Sequence, residues 1–244
     1  MKFVAISALA VCLVGFVWSC QQGHRKNIRD YYFPLKQLTT GLVYEYQSVN
    51  NDSFPPNYWY YRSFLSDTSI YLTGTYYEQN LEPLQFVREE MVQNGMLLQD
   101  IRLYEKDTSG KQQQANVEII ADSVFPFEVR DSGGIFLYHI KWRSAADPEA
   151  QMTLVRNRRY AGDTTFVFDG KKYDCVVFEL KELIEHRKEG VFEQEFSGLE
   201  WYAKGLGLVY YKKNIAKDFV LEYRLAERYP MEKLEAVFKE NLQQ

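Results

Sequence analysis

Polar and apolar residues alternate along most of this chain in short runs, and clusters of turn-forming residues separate the runs. That pattern limits the fold more than any single composition figure. A period of two puts successive side chains on opposite faces of an extended strand and cannot line one stripe of a helix. Residues 42–46 alternate, and 50–57, with three Asn, an Asp, a Ser and two Pro, break the run. Residues 58–65, 69–77, 83–92 and 96–105 follow, the last two flanking Gln93-Asn94-Gly95, a hairpin signal. Asp169-Gly170 between 165–168 and 171–179 is the clearest hairpin of the chain. Strand-like runs at a spacing near ten residues predict a mainly β protein, a curved antiparallel sheet forming an open barrel. Only the end departs from this rhythm. Pro230 opens a segment in which Leu234, Val237 and Phe238 recur at helical spacing, which predicts a C-terminal helix packed on the barrel.

Charge and aromatic content narrow the functional classes. The net charge of −4 argues against a nucleic-acid partner. Aromatic residues make up 16% of the chain, with nineteen Tyr against four Trp, and such rings suit a half-buried pleated surface. In 58-YWYY-61 and at Tyr76-Tyr77 they fall on both faces of their strands. Trp59, Tyr61 and Tyr76 are therefore candidate lining for an apolar ligand in a concave sheet. Burial of both faces by the sheet's curvature and the terminal helix is the alternative.

The first twenty residues speak to location. Lys2 precedes an apolar run over 3–18, Ser19-Cys20 closes it, and the chain turns polar at Gln21. The run is shorter than the roughly 20 apolar residues of a spanning helix. A small residue before a cysteine at this point resembles the lipobox of bacterial lipoproteins. The resemblance implies a signal peptide over 1–19, cleavage before Cys20, and acylation, such as palmitate, on its thiol. The membrane is then a partner through a lipid anchor. Residues 20–30, polar with Arg25, Lys26 and Arg29, read as a flexible stalk, and 31–244 as a single β-rich domain. No acidic residue follows the cysteine in the manner of a surface-export signal, so the expected position is the outer membrane, facing the periplasm.

Two further motifs carry a resemblance. Tyr32-Phe33-Pro34-Leu35, followed by Gly41 and Tyr44, resembles the opening segment of a loosely defined group of bacterial secreted β-rich lipoproteins. Trp201-Tyr202-Ala203-Lys204-Gly205-Leu206-Gly207-Leu208-Val209 is similar to their closing segment. The likeness implies an open barrel similar to the lipoprotein-carrier fold of periplasmic chaperones, and it implies no activity.

The residues themselves suggest little chemistry. Gly205 and Gly207 lack the following helix and the third glycine of a dinucleotide fingerprint, so they read as a structural turn. His139 and His186 stand without a partner at zinc spacing, and no Gly-x-Ser-x-Gly elbow is present. Glu89-Glu90 and Glu182 with Glu185 are candidate acid–base pairs, although charges alternating along strands usually mark a solvated face. Cys12 lies in the signal and Cys20 carries the lipid, so Cys175 in 173-YDCVVF-178 reads as a buried structural thiol. No cofactor, metal or catalytic residue is expected. The reading is a non-enzymatic envelope lipoprotein binding an apolar ligand, a lipid or an envelope protein. The alternative is an envelope hydrolase using His139, His186 or paired carboxylates.

Overall fold

The computed structural model describes residues 25–51, 53–78, 80–130 and 134–241; the expected signal peptide and Cys20 lie outside them. Strand β1 (Arg25–Asn27) leads through two short 3-10 turns (Arg29–Tyr31 and Leu35–Gln37) into β2 (Leu42–Ser48). There follow β3 (Asn57–Leu65), β4 (Ile70–Tyr77), β5 (Pro83–Val92), β6 (Gly95–Lys106), β7 (Gln112–Ala115), β8 (Val117–Pro126) and β9 (Glu128–Arg130). The second half contains β10 (Ile135–Arg143), β11 (Gln151–Phe168), β12 (Lys171–Arg187), β13 (Val191–Ala203), β14 (Gly207–Ala216), β15 (Phe219–Tyr229) and helix α1 (Met231–Asn241).

All pairings are antiparallel. The sheet runs in the order β5-β4-β3-β2-β15-β14-β13-β12-β11-β10-β8-β6, and β5 pairs with β6 to complete the circuit. The result is a mainly β barrel of twelve strands with one extra strand, β7, on β6, and a C-terminal helix. The barrel is closed, where the alternation alone suggested an open one. The physical reason is local: the hairpin through Gln93-Asn94 joins the two strands at which the sheet would otherwise end. Closure pairs the edges that β5 and β6 turn toward each other.

Two runs that look separate in the sequence, 152–160 and 165–168, form the single long strand β11. A bulge between Tyr160 and Gly162 absorbs the extra residue, with Gly162 at φ +121°. β11 then turns into β12 through Asp169 and Gly170, both at positive φ, as a two-residue hairpin turn of matching twist requires.

The expected stalk over 20–30 needs correction in its second half. Arg25–Asn27 pairs with β9, the Ile28 amide donates to the Phe127 carbonyl, and Ile28 is fully buried. One apolar residue in a polar segment is enough to anchor it when a sheet end offers backbone partners. Residues 28–38 then cross one end of the barrel and close it with Ile28, Tyr32, Phe33 and Leu38.

Helix α1 packs outside. Leu234 and Phe238 lie with Val43, Tyr58 and Tyr229 in a second apolar cluster, and Tyr60 and Tyr77 pack against it. Phe238 meets Tyr58 edge-on at 5.6 Å between ring centroids. Burying these two side chains contributes roughly 1.5–3 kcal/mol each. Alternation on β3 thus divides the aromatic run: Tyr58 and Tyr60 go under the helix, Trp59 and Tyr61 into the barrel.

Candidate functional site

The closed end of the barrel forms a floor of rings. Phe33 lies against Tyr61 (4.3 Å between centroids) and Tyr44 (5.6 Å), and Phe125 packs on Phe178 and Tyr202. The buried hydroxyls of Tyr44 and Tyr46 donate to the carbonyls of Leu206 and Leu208, both at 2.9 Å. The opening and closing motifs of the sequence meet here. The Gly205 amide donates to the Asp30 carbonyl, and Phe33 seats on Gly207. Gly205 and Gly207 sit at φ +76° and +90° in the β13–β14 turn. A Cβ on Gly207 would stand 2.5 Å from the Phe33 ring, whereas one on Gly205 would meet nothing within 4 Å.

Above this floor lies a cavity of about 340 Å³ that opens toward the β2–β3 and β4–β5 connections. One wall is aromatic. Trp59 lies parallel to Tyr61 (5.7 Å, 7°) and to Tyr76 (5.3 Å, 19°), in the offset range that favours ring pairs. Asn57 and Tyr211 complete this wall at the mouth: the Asn57 amide donates to the Tyr211 hydroxyl and accepts from Tyr76 at 2.7 Å. An adjoining hollow of about 390 Å³, lined by Pro55, Lys213 and Tyr223 among others, continues the opening outward.

The opposite wall is charged. Arg158 donates to Glu200 through Nε (2.9 Å) and Nη2 (3.3 Å), and the Tyr202 hydroxyl donates to the same carboxylate at 3.1 Å. Arg156 donates through Nε to Glu182, which also pairs with Lys213. Burial works against ionisation of Glu182, but Arg156 and Lys213 outweigh it and hold the carboxyl at about 2. Burial likewise opposes the charge on Glu200, and the nearby guanidinium groups of Arg158 and Arg156 still keep its pKa below the ordinary value. Glu89 differs. Burial pushes it up to about 7, and a hydrogen bond from Tyr32 and the charge of Arg158 offset this only in part.

Each sequence candidate now has a place. Trp59, Tyr61 and Tyr76 share one cavity wall. His139 pairs with Val155 and His186 with Met152, three residues apart on an unbroken stretch of β11. The two imidazoles therefore stand on opposite faces of the sheet and do not converge. The same parity separates Glu89 from Glu90 and Glu182 from Glu185. Glu89, Glu182 and Glu200, from three different strands, gather instead in the barrel. Cys175 is buried, and that burial, with Asp174 beside it, pushes its thiol up to about 12, leaving little thiolate. Cys20 lies outside the described residues. Among the described residues no group of three or more His, Cys, Asp or Glu is arranged to hold a metal.

Sequence reasoning missed Arg156, Arg158, Glu200 and Tyr202, and it read Glu182 as a surface charge. A signal was available. On β11, β12 and β13 these charges fall in phase with Leu154, Tyr160, Phe178 and Phe196, at the positions that face the core.

No protein-family model matches the chain, and no curated protein matches it. Solved structures do resemble it. A candidate lipoprotein of Parabacteroides distasonis superposes with a TM-score of 0.51 at 12% identity, over 80% of this chain and 95% of that one. A candidate exported protein of Bacteroides fragilis with a YmcC-like fold gives 0.48 at 10% identity, over 81% and 98%. The hypothetical lipoprotein YmcC of Escherichia coli gives 0.34 at 10% identity, over 80% and 89%. At these identities the first likeness is one of fold.

Proposed function

We propose that this chain is a lipid-anchored protein of the cell envelope, acylated on Cys20, whose barrel is a non-catalytic binding module for an apolar ligand or for a partner that carries one. The observation that carries this reading is the cavity itself: an open hollow of about 340 Å³ walled by Trp59, Tyr61 and Tyr76 above a sealed floor. A pocket of this size with a ring-lined wall and a few placed polar groups suits a small ligand. The description of the Parabacteroides distasonis protein of the same fold as a candidate lipoprotein supports the anchor.

The anchor also orients the barrel. Cys20 is five peptide steps from Arg25, a reach of at most about 18 Å. Arg25 belongs to β1, which lies at the plugged end of the barrel, beside the β5–β6 turn. Acyl chains on Cys20 therefore hold the floor toward the lipid and turn the mouth away from it, into the periplasm if the membrane is the outer one.

Two measurements test the reading. Cys20→Ser releases the full chain from the membrane fraction and abolishes labelling by a palmitate analogue; equal labelling of both forms defeats the anchor. The neutral probe N-phenyl-1-naphthylamine binds the full chain saturably, and Trp59→Ala weakens it about tenfold, the loss of one large ring contact. Absence of probe binding, together with a hydrolytic activity that vanishes in His139→Ala or His186→Ala, promotes the hydrolase instead.

A further inference from the structure

We infer that the ligand of this cavity carries one carboxylate, which the Nη atoms of Arg156 receive while the ligand's apolar body lies against Trp59, Tyr61 and Tyr76. The inference rests on the binding reading above and names the chemistry of what is bound.

The two arginines of the cavity are not equivalent. Arg158 is closed off, with 6% of its side chain exposed and two donors engaged by Glu200. Arg156 keeps 29% of its side chain exposed and uses only Nε, on Glu182. Among the described residues its Nη1 and Nη2 find no acceptor at hydrogen-bond distance; Glu200 Oε1 stands 4.0 Å from Nη1. Arg156 lines this cavity, the adjoining hollow at the mouth, and a third hollow of about 280 Å³ bounded by Ile101, Tyr138 and Trp142, so it is reached from more than one side. A planar guanidinium with a free pair of donors matches a carboxylate in two parallel hydrogen bonds.

The remaining polar groups narrow the choice to an anion. Asn57 links Tyr76 and Tyr211, Tyr202 is engaged by Glu200, and Gln85, Tyr61 and Tyr138 add only neutral groups to the lining. Of the charges facing the cavity and its mouth, three are cations, Arg156, Arg158 and Lys213, and two are firmly ionised carboxylates, Glu182 and Glu200. The third carboxyl, Glu89, faces Tyr32, Tyr61, Tyr138, Tyr202, Arg158 and Glu200, and burial pushes it up to about 7. Below its pKa the cluster has one positive charge left over, which a monoanion neutralises. Above it, Glu89 supplies that charge itself and repels the ligand.

The test uses an isosteric set, 2-naphthylacetate, 2-naphthylethanol and 2-(2-naphthyl)ethylamine, with octanoate as the acyl counterpart. Each is titrated by calorimetry into the full chain in lipid nanodiscs. At pH 6 the carboxylate binds about tenfold or more tighter than the alcohol, as expected for hydrogen bonds to a charged group. The amine binds most weakly. Arg156→Gln removes the preference, and Arg156→Lys, which keeps the charge, retains part of it and controls for misfolding. The preference falls as pH rises from 6 to 8 in the wild type and stays level in Glu89→Gln. Binding of octanoate but not naphthylacetate keeps the anion and assigns an acyl body. Equal affinity for carboxylate and alcohol, or preference for the amine, overturns the inference and leaves the binding reading standing. Failure of every compound, with N-phenyl-1-naphthylamine also inert, overturns both.

Discussion

On one face of β12, Val176 and Phe178 meet the rings of the floor, and four residues beyond Phe178 Glu182 meets Arg156 and Lys213. The same contrast appears on β13, where Tyr202 packs on Phe125 and Phe178, and Glu200, one position along that face, binds Arg158. The floor is packed mainly from rings and aliphatic side chains under residues 28–38, with Arg228 stacked on Tyr44 and donating to its hydroxyl at 3.3 Å. The wall above carries several charges and satisfies most of them within one network. A buried charge is tolerated only with a partner and hydrogen bonds. Here opposite charges on four neighbouring strands, β11 to β14, supply them. Among the described residues, Arg156, beside the opening, engages a carboxylate through Nε and leaves both Nη groups without an acceptor. The difference between the two regions is thus one of access: the covered end is packed mainly from rings, and the end with a mouth carries paired charge.

The largest effects should come from breaking each region in its own way. Phe178→Ala removes a fully buried ring from the floor and is expected to cost about 3–5 kcal/mol. Arg158→Met leaves Glu200 buried without its main partner and is expected to cost a similar 3–5 kcal/mol. The regions part company in the rescue. Adding Glu200→Met to Arg158→Met restores most of the loss, since two apolar groups replace an ion pair, whereas no partner change refills the Phe178 cavity. Urea denaturation measures all three, and a double variant no better than Arg158→Met alone would show that the network is more than its charge pairing.

A smaller effect separates the regions by pH. Glu89 has a folded-state value of about 7 against an ordinary 4.5. A carboxyl raised in this way favours the fold below its unfolded value and loses that contribution as pH rises through its folded value. The loss amounts to at most about 3 kcal/mol. Glu89→Gln should therefore be more stable than the wild type at pH 8 and nearly equal to it at pH 5. Parallel wild-type and variant stabilities across this range would place Glu89 in a wetter setting than the cavity wall.

The smallest effect probes the floor turn. Gly205→Ala should cost only the left-handed backbone strain, about 1–2 kcal/mol. Gly207→Ala should cost more, because its methyl also displaces the Phe33 ring. Equal losses in a thermal melt would mean that Phe33 does not hold the floor in place.

Much of the frame was legible in the residues. The Asp169-Gly170 hairpin, the turn at Gln93-Asn94 and the helix after Pro230 are local features, and local φ preferences and spacing reveal them. The aromatic wall was legible in part, because 58-YWYY-61 must put rings on both faces whatever the fold. The charged wall was not read, since Arg156, Arg158 and Glu200 look like surface residues until their strands are set side by side. The binding of the segment at Arg25–Ile28 was equally hidden, because its partners are backbone groups about a hundred residues away.

By itself the sequence determined which residues share a face, where the chain turns and which segment is helical, because these depend on periods of 2 and 3.6 residues and on a few turn conformations. Tertiary structure decided which face became the interior, that β2 pairs with β15 so that the sheet forms a circuit, and that residues 28–38 plug one end while the other stays open. Those outcomes depend on pairings between distant strands, which alternation permits in many arrangements and only the closed barrel selects. The partnership of Arg158 with Glu200 and the surroundings of Arg156 exist only in that arrangement, because charges from separate strands become neighbours only when β11, β12 and β13 pair in this register.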